Sequence, residues 1–338
     1  MNKKLLTTSA LAGVVALAGS AFAETKVSGN LEYVLNSASA TSAAASSNGQ
    51  GFEDNIQISN SKDTDFGKFS YGFRLENAST EGAHMTLTAG DTTVQIGADS
   101  FSNLSATVVP NTGESFQTVV AGIGTVSYET SFDMGASDSG SGVARKNAIG
   151  LGIAQKMAGG ALSVRYVPNT AQANTTNPGT TDNSGTSSIQ ANYKGSLGVE
   201  GLNVMVGYAK DDSFGANTQD GKATTFGAAY TVNGITVGAQ RRNYEDVNTA
   251  AAQSEYETNE FGIGFAVNDN MSIALQHIVT DGDNAGTNYA SKEKITGVGI
   301  GYNLGGIAIE LSYADVSDAN GTSGSDGEAF QLKTVQAF

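Results

Sequence analysis

The sequence predicts an all-β protein, a transmembrane antiparallel β-barrel of 16 strands with a long third loop folded into its lumen. Three observations carry this prediction. Apolar and polar residues alternate along segments of about ten residues, short turns alternate with longer polar loops, and the composition favours strands. The 338 residues include 43 Gly but only 3 Pro, with no Cys and no Trp. Such counts are typical of a chain rich in strands and turns.

Residues 1–23 have the three parts of a bacterial export signal. Two lysines form a basic start, residues 5–19 form an apolar centre, and residues 21–23 (Ala-Phe-Ala) form a cleavage site of small residues. The apolar run is shorter than a membrane-spanning helix needs, which argues against a membrane anchor. We expect removal of this secretory signal peptide, so that residues 24–338 form the barrel domain outside the cytoplasm.

Period-two alternation predicts strands with one apolar and one polar face. In the first strand Val27, Leu31 and Leu35 share the apolar face, while Lys26 and Glu32 share the polar one. The same pattern recurs in residues 69–76, 202–208 and 307–313. The apolar face is expected to meet lipid, and the face rich in Gly, Ser, Thr, Asn and charge is expected to meet water.

Short turns and long loops alternate along the chain, and their number predicts the number of strands. Seven short turns are predicted at residues 61–65, 90–91, 156–160, 195–201, 233–234, 268–270 and 303–306. Eight loops are predicted at residues 36–53, 77–82, 99–146, 168–187, 211–222, 245–256, 282–293 and 317–327. Together they require sixteen strands, with both chain ends on the short-turn side. A closed barrel pairs every backbone group within lipid without leaving an open edge.

Three sets of glycines repeat at a spacing of two, so each set projects to one face of its strand. They are Gly150 and Gly152, Gly262 and Gly264, and Gly297, Gly299 and Gly301. Sixteen strands enclose an aqueous channel, where such glycines leave room or allow an inserted loop or a neighbouring part of the wall to approach closely. Tolerance of strand bending explains the same pattern equally well.

The loop at residues 99–146 is far longer than ordinary connections and has enough apolar residues to pack against the inside of the barrel. If the loop folds inward, its acidic residues would face basic residues that the alternation places on the inner wall. Such opposed charges would select solutes by charge. The loop acids are Asp99, Glu114, Glu129, Asp133 and Asp138, and the bases are Lys26, Arg74, Arg165, Lys194, Arg242 and Lys333. All except Asp138 and Lys194 are our predicted constriction residues. For any single one, a solvated loop or rim charge is the alternative.

Several features of the chain occur together in one family. They are the export signal, the opening segment 26–33, the segment 68–76, the long third loop, and the last segment 329–338 ending in Phe338. The chain thereby resembles the Gram-negative general porins over essentially its whole length. The resemblance implies a homotrimer in the outer membrane, passive diffusion of small hydrophilic solutes, and a constriction formed by the third loop. Phe338 is similar to the terminal aromatic residue that the barrel-assembly machinery recognises in this family.

Other functions find less support in the residues. The only histidines, His84 and His277, fall in predicted strands, and no G-x-S-x-G motif is present, so we expect no enzyme. A net charge of −15 disfavours nucleic acid as a partner and predicts mild cation preference. We expect no cofactor beyond Ca or Mg held loosely at external acids, where it would bridge to lipopolysaccharide. Those acids are Asp315, Asp318, Asp326 and Glu328.

Two alternatives remain for the function of the barrel. A substrate-specific channel for a sugar or another nutrient would need a binding track, such as a line of aromatic residues along the lumen, and the inward faces show no such line. A surface-exposed adhesion or binding barrel would use its loops as the working surface. Stepwise ohmic conductance distinguishes a channel from the second alternative, and saturating flux would indicate the first.

Overall fold

In the computed structural model, sixteen antiparallel strands close into a barrel, which confirms the predicted fold. The structure describes residues 24–41, 47–76, 79–97, 107–112, 116–120, 123, 150–168, 187–212, 220–247, 254–284 and 287–338. The strands are β1 (Glu24–Ala40), β2 (Ser47–Thr64), β3 (Gly67–Glu76), β4 (Ser79–Ala89), β5 (Thr92–Gly97), β6 (Gly150–Met157), β7 (Gly160–Val167), β8 (Ser187–Gly195), β9 (Leu202–Asp212), β10 (Asp220–Val232), β11 (Ile235–Val247), β12 (Ser254–Asn268), β13 (Met271–Asn284), β14 (Thr287–Asn288), β15 (Glu293–Asn303), β16 (Ile307–Ser317) and β17 (Gly327–Ala337). The two-residue β14 pairs with the end of β13 and is not counted among the sixteen.

The first and last strands close the barrel. Each long strand pairs antiparallel with its neighbour in sequence, and β1 pairs with β17 from Asn30↔Ala337 to Ala40↔Gly327. Two backbone hydrogen bonds extend this seam to the chain end, because Gly29 and Phe338 each donate an N–H to the other's carbonyl, at 3.1 and 2.9 Å. The closed sheet leaves no open strand edge, which is what a backbone in lipid requires.

The predicted count of seven turns and eight loops is confirmed, although several bounds were wrong. The short connections are residues 65–66, 90–91, 158–159, 196–201, 233–234, 269–270 and 304–306. The connections on the other side are residues 41–46, 77–78, 98–149, 168–186, 213–219, 248–253, 285–292 and 318–326. All of these are longer than most of the short turns except 77–78, which has only two residues.

The largest errors concern the predicted loops 36–53 and 77–82 and the predicted turn 61–65. Residues 36–40 and 47–53 continue β1 and β2 as a polar hairpin, held in part by a hydrogen bond from Ser37 to Asn48 at 2.6 Å. Strand β4 already begins at Ser79, and β2 runs on to Thr64. Beyond the membrane both faces of a strand meet water, so the alternation that marks a strand in sequence disappears there while the backbone still pairs.

The two faces of the sheet have the polarity of a membrane barrel. Large apolar side chains are exposed on the outside, among them Leu31, Leu151, Val206, Phe226 and Val237. Polar side chains are buried on the inside, including Gln95, Gln190, Gln240, Gln276 and Gln331. A water-soluble protein would show the reverse, so the outer surface is suited to lipid. Among the described residues, no helix has the length and apolar character needed to cross a bilayer.

Candidate pore constriction

The described parts of the third loop, residues 107–112, 116–120 and 123, lie inside the barrel against the inner faces of β10–β17. We call these residues the inner segment. Its side chains contact the inward faces of β10, β11, β12, β15 and β17 in turn as the chain advances from Val108 to Ile123. The sequence predicted that this loop folds inward, and the described residues do so.

A track of inward glycines receives the inner segment. A methyl group built on Gly227 would lie 2.7 Å from Val108 Cγ2, and one on Gly262 would lie 2.5 Å from Val109 Cγ1. The same construction on Gly264 comes within 2.8 Å of Pro110 Cβ. The full glycine track consists of Gly227, Gly238, Gly262, Gly264, Gly297 and Gly299. Real Cβ atoms almost never approach so closely, so Gly262, Gly264, Gly297 and Gly299 permit contact with the loop, which supports close approach as the explanation for these two sets.

The later part of the inner segment is held by apolar packing. It contains a single helical turn, α1 (Phe116–Val119), in which Phe116 and Val119 are completely buried. Their partners on the wall include Ile278 of β13, Ile295 of β15 and Val316 of β16. These wall residues point inward, where the alternation predicted small or polar side chains. The exception arises because the loop, not water, covers this part of the inner face.

The start of the inner segment is held by a group of polar residues, Thr107, Gln240, Arg242 and Glu260, which we call the polar clamp. The Val108 N–H donates to Gln240 Oε1 at 2.8 Å, and Thr107 Oγ1 donates to Glu260 Oε2 at 3.3 Å. Glu260 Oε1 in turn lies 2.5 Å from Arg242 Nη1, and both of these charged side chains are essentially without solvent exposure. Arg242 therefore points inward as predicted but is covered and ion-paired, so its guanidinium does not face the water of the lumen.

Arg165 occupies a different place beside the third loop. It lies inward on β7, is buried, and donates through Nη2 to the carbonyl of Gly97 at 3.5 Å. A methyl group built on Gly150 would lie 2.9 Å from Arg165 Nε. Gly97 ends β5 and Gly150 begins β6, so this arginine contacts both ends of the long loop.

The remaining predicted wall bases are spread along the inner face. Lys333 of β17 is ion-paired with Glu32 of β1 at 2.9 Å, and Glu310 lies directly opposite Lys333 in the register of β16. Arg74 lies near the loop end of β3, while Lys26 lies near the short-turn end of β1. Lys194 is exposed beside the turn that follows β8.

The predicted acids of the third loop all lie outside the described residues. They are Asp99, Glu114, Glu129, Asp133 and Asp138.

Three tyrosines form a cluster at the loop-side mouth, although the sequence predicted no line of aromatic residues along the inward faces. Tyr244 of β11 stacks on Tyr256 of β12 with ring centroids 6.1 Å apart, and Tyr256 lies 6.1 Å from Tyr289. Tyr289 comes from a loop, which is why strand parity could not place it beside the others. Tyr244 is only 5% exposed, so the three rings form a packed cluster more than an open track.

The loop that carries Tyr289 is fixed to its neighbour. Tyr289 donates its hydroxyl to Asn320 Oδ1 at 3.1 Å, and the Asn320 N–H donates to Glu293 Oε2 at 2.8 Å. Burial, followed by the nearby Tyr256 and Glu293, raises the pKa of Tyr289 well above its ordinary value. Tyr289 and Glu293 are thereby joined to the neighbouring loop 318–326.

Three of the four predicted external acids accept hydrogen bonds from the protein. Asp318 Oδ1 accepts the Gly324 N–H at 2.8 Å, Asp326 Oδ1 accepts the Asp318 N–H at 3.1 Å, and Glu328 accepts the Tyr313 hydroxyl at 2.7 Å. Within the described part of the chain, no group of three or more His, Asp or Glu side chains comes together in a way that could hold a metal ion.

The two histidines lie in strands on opposite faces. His84 of β4 points inward and lies close to Gly72, whereas His277 of β13 is exposed on the outer face with its Nδ1 2.9 Å from Thr296 Oγ1.

A closed barrel with an apolar exterior, a polar interior and a loop seated inside it defines a channel of the outer membrane. Comparison of the sequence with protein families agrees, since a profile of the Gram-negative porins matches residues 7–273. The chain belongs to this family and forms an outer-membrane porin channel. No curated protein sequence matches it.

Solved structures with the same fold cover nearly the whole chain at low sequence identity. The anion-selective porin from Comamonas acidovorans is 17% identical with a TM-score of 0.66, covering 93% of this chain and 99% of that one. OmpT of Vibrio cholerae is 11% identical with a TM-score of 0.66, covering 93% and 97%. A mutant of the Rh. blastica porin is 16% identical with a TM-score of 0.60, covering 93% and 100%. Likeness at this level establishes the fold alone.

Proposed function

We propose that this porin carries small hydrophilic solutes and ions by passive diffusion through a lumen that its third loop narrows, and that it has no enzymatic activity. The observation that carries the proposal is the inner segment, which lies on the glycine track and so takes up space inside the barrel. Stepwise ohmic conductance of the purified protein in a planar bilayer tests it. Absence of such steps would contradict the proposal.

The selectivity of the channel is proposed to be mildly cationic. Acids outnumber bases by 33 to 18 in the whole chain. On the wall, the charge of Arg242 is compensated by Glu260 and that of Lys333 by Glu32. The acids of the loop would therefore make the electrostatic potential of the constriction negative. The anion selectivity of the Comamonas porin makes this a real alternative outcome. A reversal potential measured in a KCl gradient decides it, and chloride preference would reject our proposal.

The predicted constriction residues are proposed to act in two groups. Glu114, Asp133, Asp99 and Glu129 would supply the acids of the loop. Arg74, Lys26 and Lys333 would face the solute path from the wall, whereas Arg165 and Arg242 would act mainly by holding the loop, because both are buried. Neutralising Glu114 and Asp133 together should lower cation preference, measured as the ratio of K⁺ to Cl⁻ permeability.

A homotrimer is the proposed assembly, with Phe338 as the signal for the barrel-assembly machinery and with lipopolysaccharide around the outer loops. Calcium or magnesium would be held loosely, if bound at all, because the acids Asp318, Asp326 and Glu328 already accept hydrogen bonds from the protein. Native mass spectrometry of protein extracted in mild detergent tests the trimer. A monomer as the sole species would contradict it.

A substrate-specific channel is the second candidate, and the tyrosine cluster at the mouth is the observation in its favour. Aromatic faces bind sugar rings and other flat solutes through stacking and apolar contact. The low exposure of Tyr244 weakens this candidate, since only Tyr256 and Tyr289 keep partly accessible surface. Liposome swelling with sugars of increasing concentration separates the two: saturation at low concentration indicates a specific site, and linear flux indicates general diffusion.

A further inference from the structure

We propose that Glu260 is a positioning residue that fixes both the seat of the third loop and the electrical balance of the wall behind it. The proposal deepens the proposed function, because it rests on the inner segment narrowing a conducting channel. It concerns the polar clamp, whose central residue is neither a predicted constriction residue nor exposed to the lumen.

The position of Glu260 in the sheet places its two carboxylate oxygens between the wall and the loop. In the pairing of β11 with β12, Glu260 lies directly opposite Gln240, and Arg242 lies opposite Thr258. Glu260 and Arg242 are therefore diagonal neighbours on one inner face, which long side chains bridge readily. Oε1 contacts Arg242 Nη1 at 2.5 Å, and Oε2 accepts the hydroxyl of Thr107 at 3.3 Å.

The loop side of the clamp consists of backbone and hydroxyl groups that need buried partners. The N–H of Val108 donates to Gln240 Oε1 at 2.8 Å, and the N–H of Val109 donates to Thr107 Oγ1 at 3.0 Å. Gln240 is itself oriented by donating Nε2 to Thr225 Oγ1 at 2.9 Å. Glu260 thus connects a charged wall residue to a chain of hydrogen bonds that ends in the loop backbone, and buried groups of this kind are costly to leave without partners.

Because both side chains are buried, the positive charge of Arg242 depends on the negative charge of Glu260 for its stabilisation. The side chains of Arg242 and Glu260 are 0% and 1% exposed, so water contributes little to stabilising either charge. An arginine cannot escape by losing its proton. Neutralising Glu260 therefore makes the wall behind the loop more positive by one charge, in a region where screening by salt is weaker than at the surface. That charge would repel cations from the adjacent path and attract anions.

Planar-bilayer recordings of the full channel with charge-neutralising variants test the proposal. In E260Q the amide can still accept from Thr107, but the wall beside Arg242 carries one negative charge fewer, so the ratio of K⁺ to Cl⁻ permeability should fall by about threefold. R242Q leaves Glu260 uncompensated and should move the ratio in the opposite direction. The double variant R242Q/E260Q carries no net charge at the clamp and should return to the wild-type ratio.

The hydrogen bond to the loop is tested separately at Thr107. T107V removes the hydroxyl at nearly constant volume and should increase open-channel noise without changing the permeability ratio, whereas T107S should behave as wild type. The difference in gel mobility between heated and unheated samples verifies that each variant forms a barrel. We expect the double variant to fold best, because it leaves neither charge of the pair without the other.

The outcomes separate this inference from the proposed function. A wild-type protein without stepwise conductance refutes the proposed function itself. A conducting wild type with equal permeability ratios in E260Q, R242Q and the double variant overturns the role of Glu260 in the electrical balance. Equal noise in T107V and wild type overturns its role in holding the loop. A permeability ratio that shifts in E260Q but is not restored in the double variant indicates displacement of the loop. This result contradicts our proposal that Glu260 acts by compensating the charge of Arg242.

Discussion

Inward glycines decide how closely the third loop approaches the wall. Each residue of the glycine track lies where a side chain would collide with a residue of the inner segment, as Gly262 does with Val109 and Gly264 with Pro110. The spacing of two was visible in the sequence for Gly262 and Gly264 and for Gly297 and Gly299. Gly227 and Gly238 have no glycine two residues away in their strands, so no repeat of two marked them.

Substituting Gly262 by Val should displace the inner segment from its seat. The built methyl already lies 2.5 Å from Val109 Cγ1, so the added side chain must push the loop toward the lumen or strain the wall. We expect lower single-channel conductance, together with an overpacking cost of about 1–3 kcal/mol if the loop does not yield. Gly51→Val in β2 is the control, since no atom lies within 4 Å of its built methyl. Equal conductance in the two variants would contradict the role of the glycine track.

Tyr289 should be among the last tyrosines of the 12 to ionise on raising the pH. Its pKa is raised first by burial and then by Tyr256 and Glu293, above the ordinary value of about 10. A raised folded pKa means that its contribution to stability is complete below about pH 10 and is lost as the pH rises through the folded pKa. Ultraviolet titration of tyrosinate in wild type and Tyr289→Phe measures this. Loss of an early-titrating tyrosine in the variant would disprove the assignment.

At the scale of elements, the seam between β1 and β17 closes the barrel with the chain end included. Gly29 and Phe338 exchange two backbone hydrogen bonds. The ring of Phe338 also lies over Gly29, where a built methyl would come within 2.5 Å of Cζ. The terminal aromatic residue was predicted from resemblance, but its glycine partner some three hundred residues earlier could be found only from the register of the closed sheet.

Gly29→Val should weaken this closure. The larger side chain meets the backbone carbonyl of Asn55 and also competes with the Phe338 ring for space, and we expect a loss of about 1–3 kcal/mol in the free energy of unfolding. Denaturant titration of the folded protein in lipid vesicles gives the value, with Gly49→Val as a matched glycine that has no atom within 4 Å of its built methyl. If steric competition is the cause, adding Phe338→Ala should recover part of the loss. A loss as large in Gly49→Val would indicate a general strand effect.

At the scale of the whole molecule, the barrel exposes apolar residues and buries polar ones, and neighbours in sequence therefore experience different solvents. Leu31 is exposed on the outer face of β1, while Asn30 beside it points into the lumen. This polarity also explains why the average composition is not that of a typical membrane protein, since only 39% of the residues are hydrophobic.

Leu31→Lys and Asn30→Lys should differ strongly in their effect on stability. A lysine on the lipid face costs about 2–4 kcal/mol near the middle of the bilayer, whereas one in the lumen remains hydrated. Equilibrium unfolding in lipid vesicles measures both variants under the same conditions. Equal destabilisation would mean that the two faces of β1 are not assigned to lipid and lumen as described.

The sequence by itself determined the class of fold, the number of strands, the direction of most strand side chains and the existence of a long loop with apolar content. These properties are local, because a period of two and the position of turns are written in neighbouring residues. The inward direction of Arg165 and Arg242 followed from the same period.

Only the tertiary structure decided what those inward residues meet. The alternation of residues shows which side chains point inward, but not whether they meet water or a covering loop. The burial of Arg242 and its pairing with Glu260 could therefore not be predicted from the spacing of residues. Ile278 and Ile295 are apolar residues on an otherwise polar inner face, and α1 covers them. The physical reason is that burial and charge compensation depend on residues far apart in the chain, which closure of the barrel and insertion of the loop bring into contact.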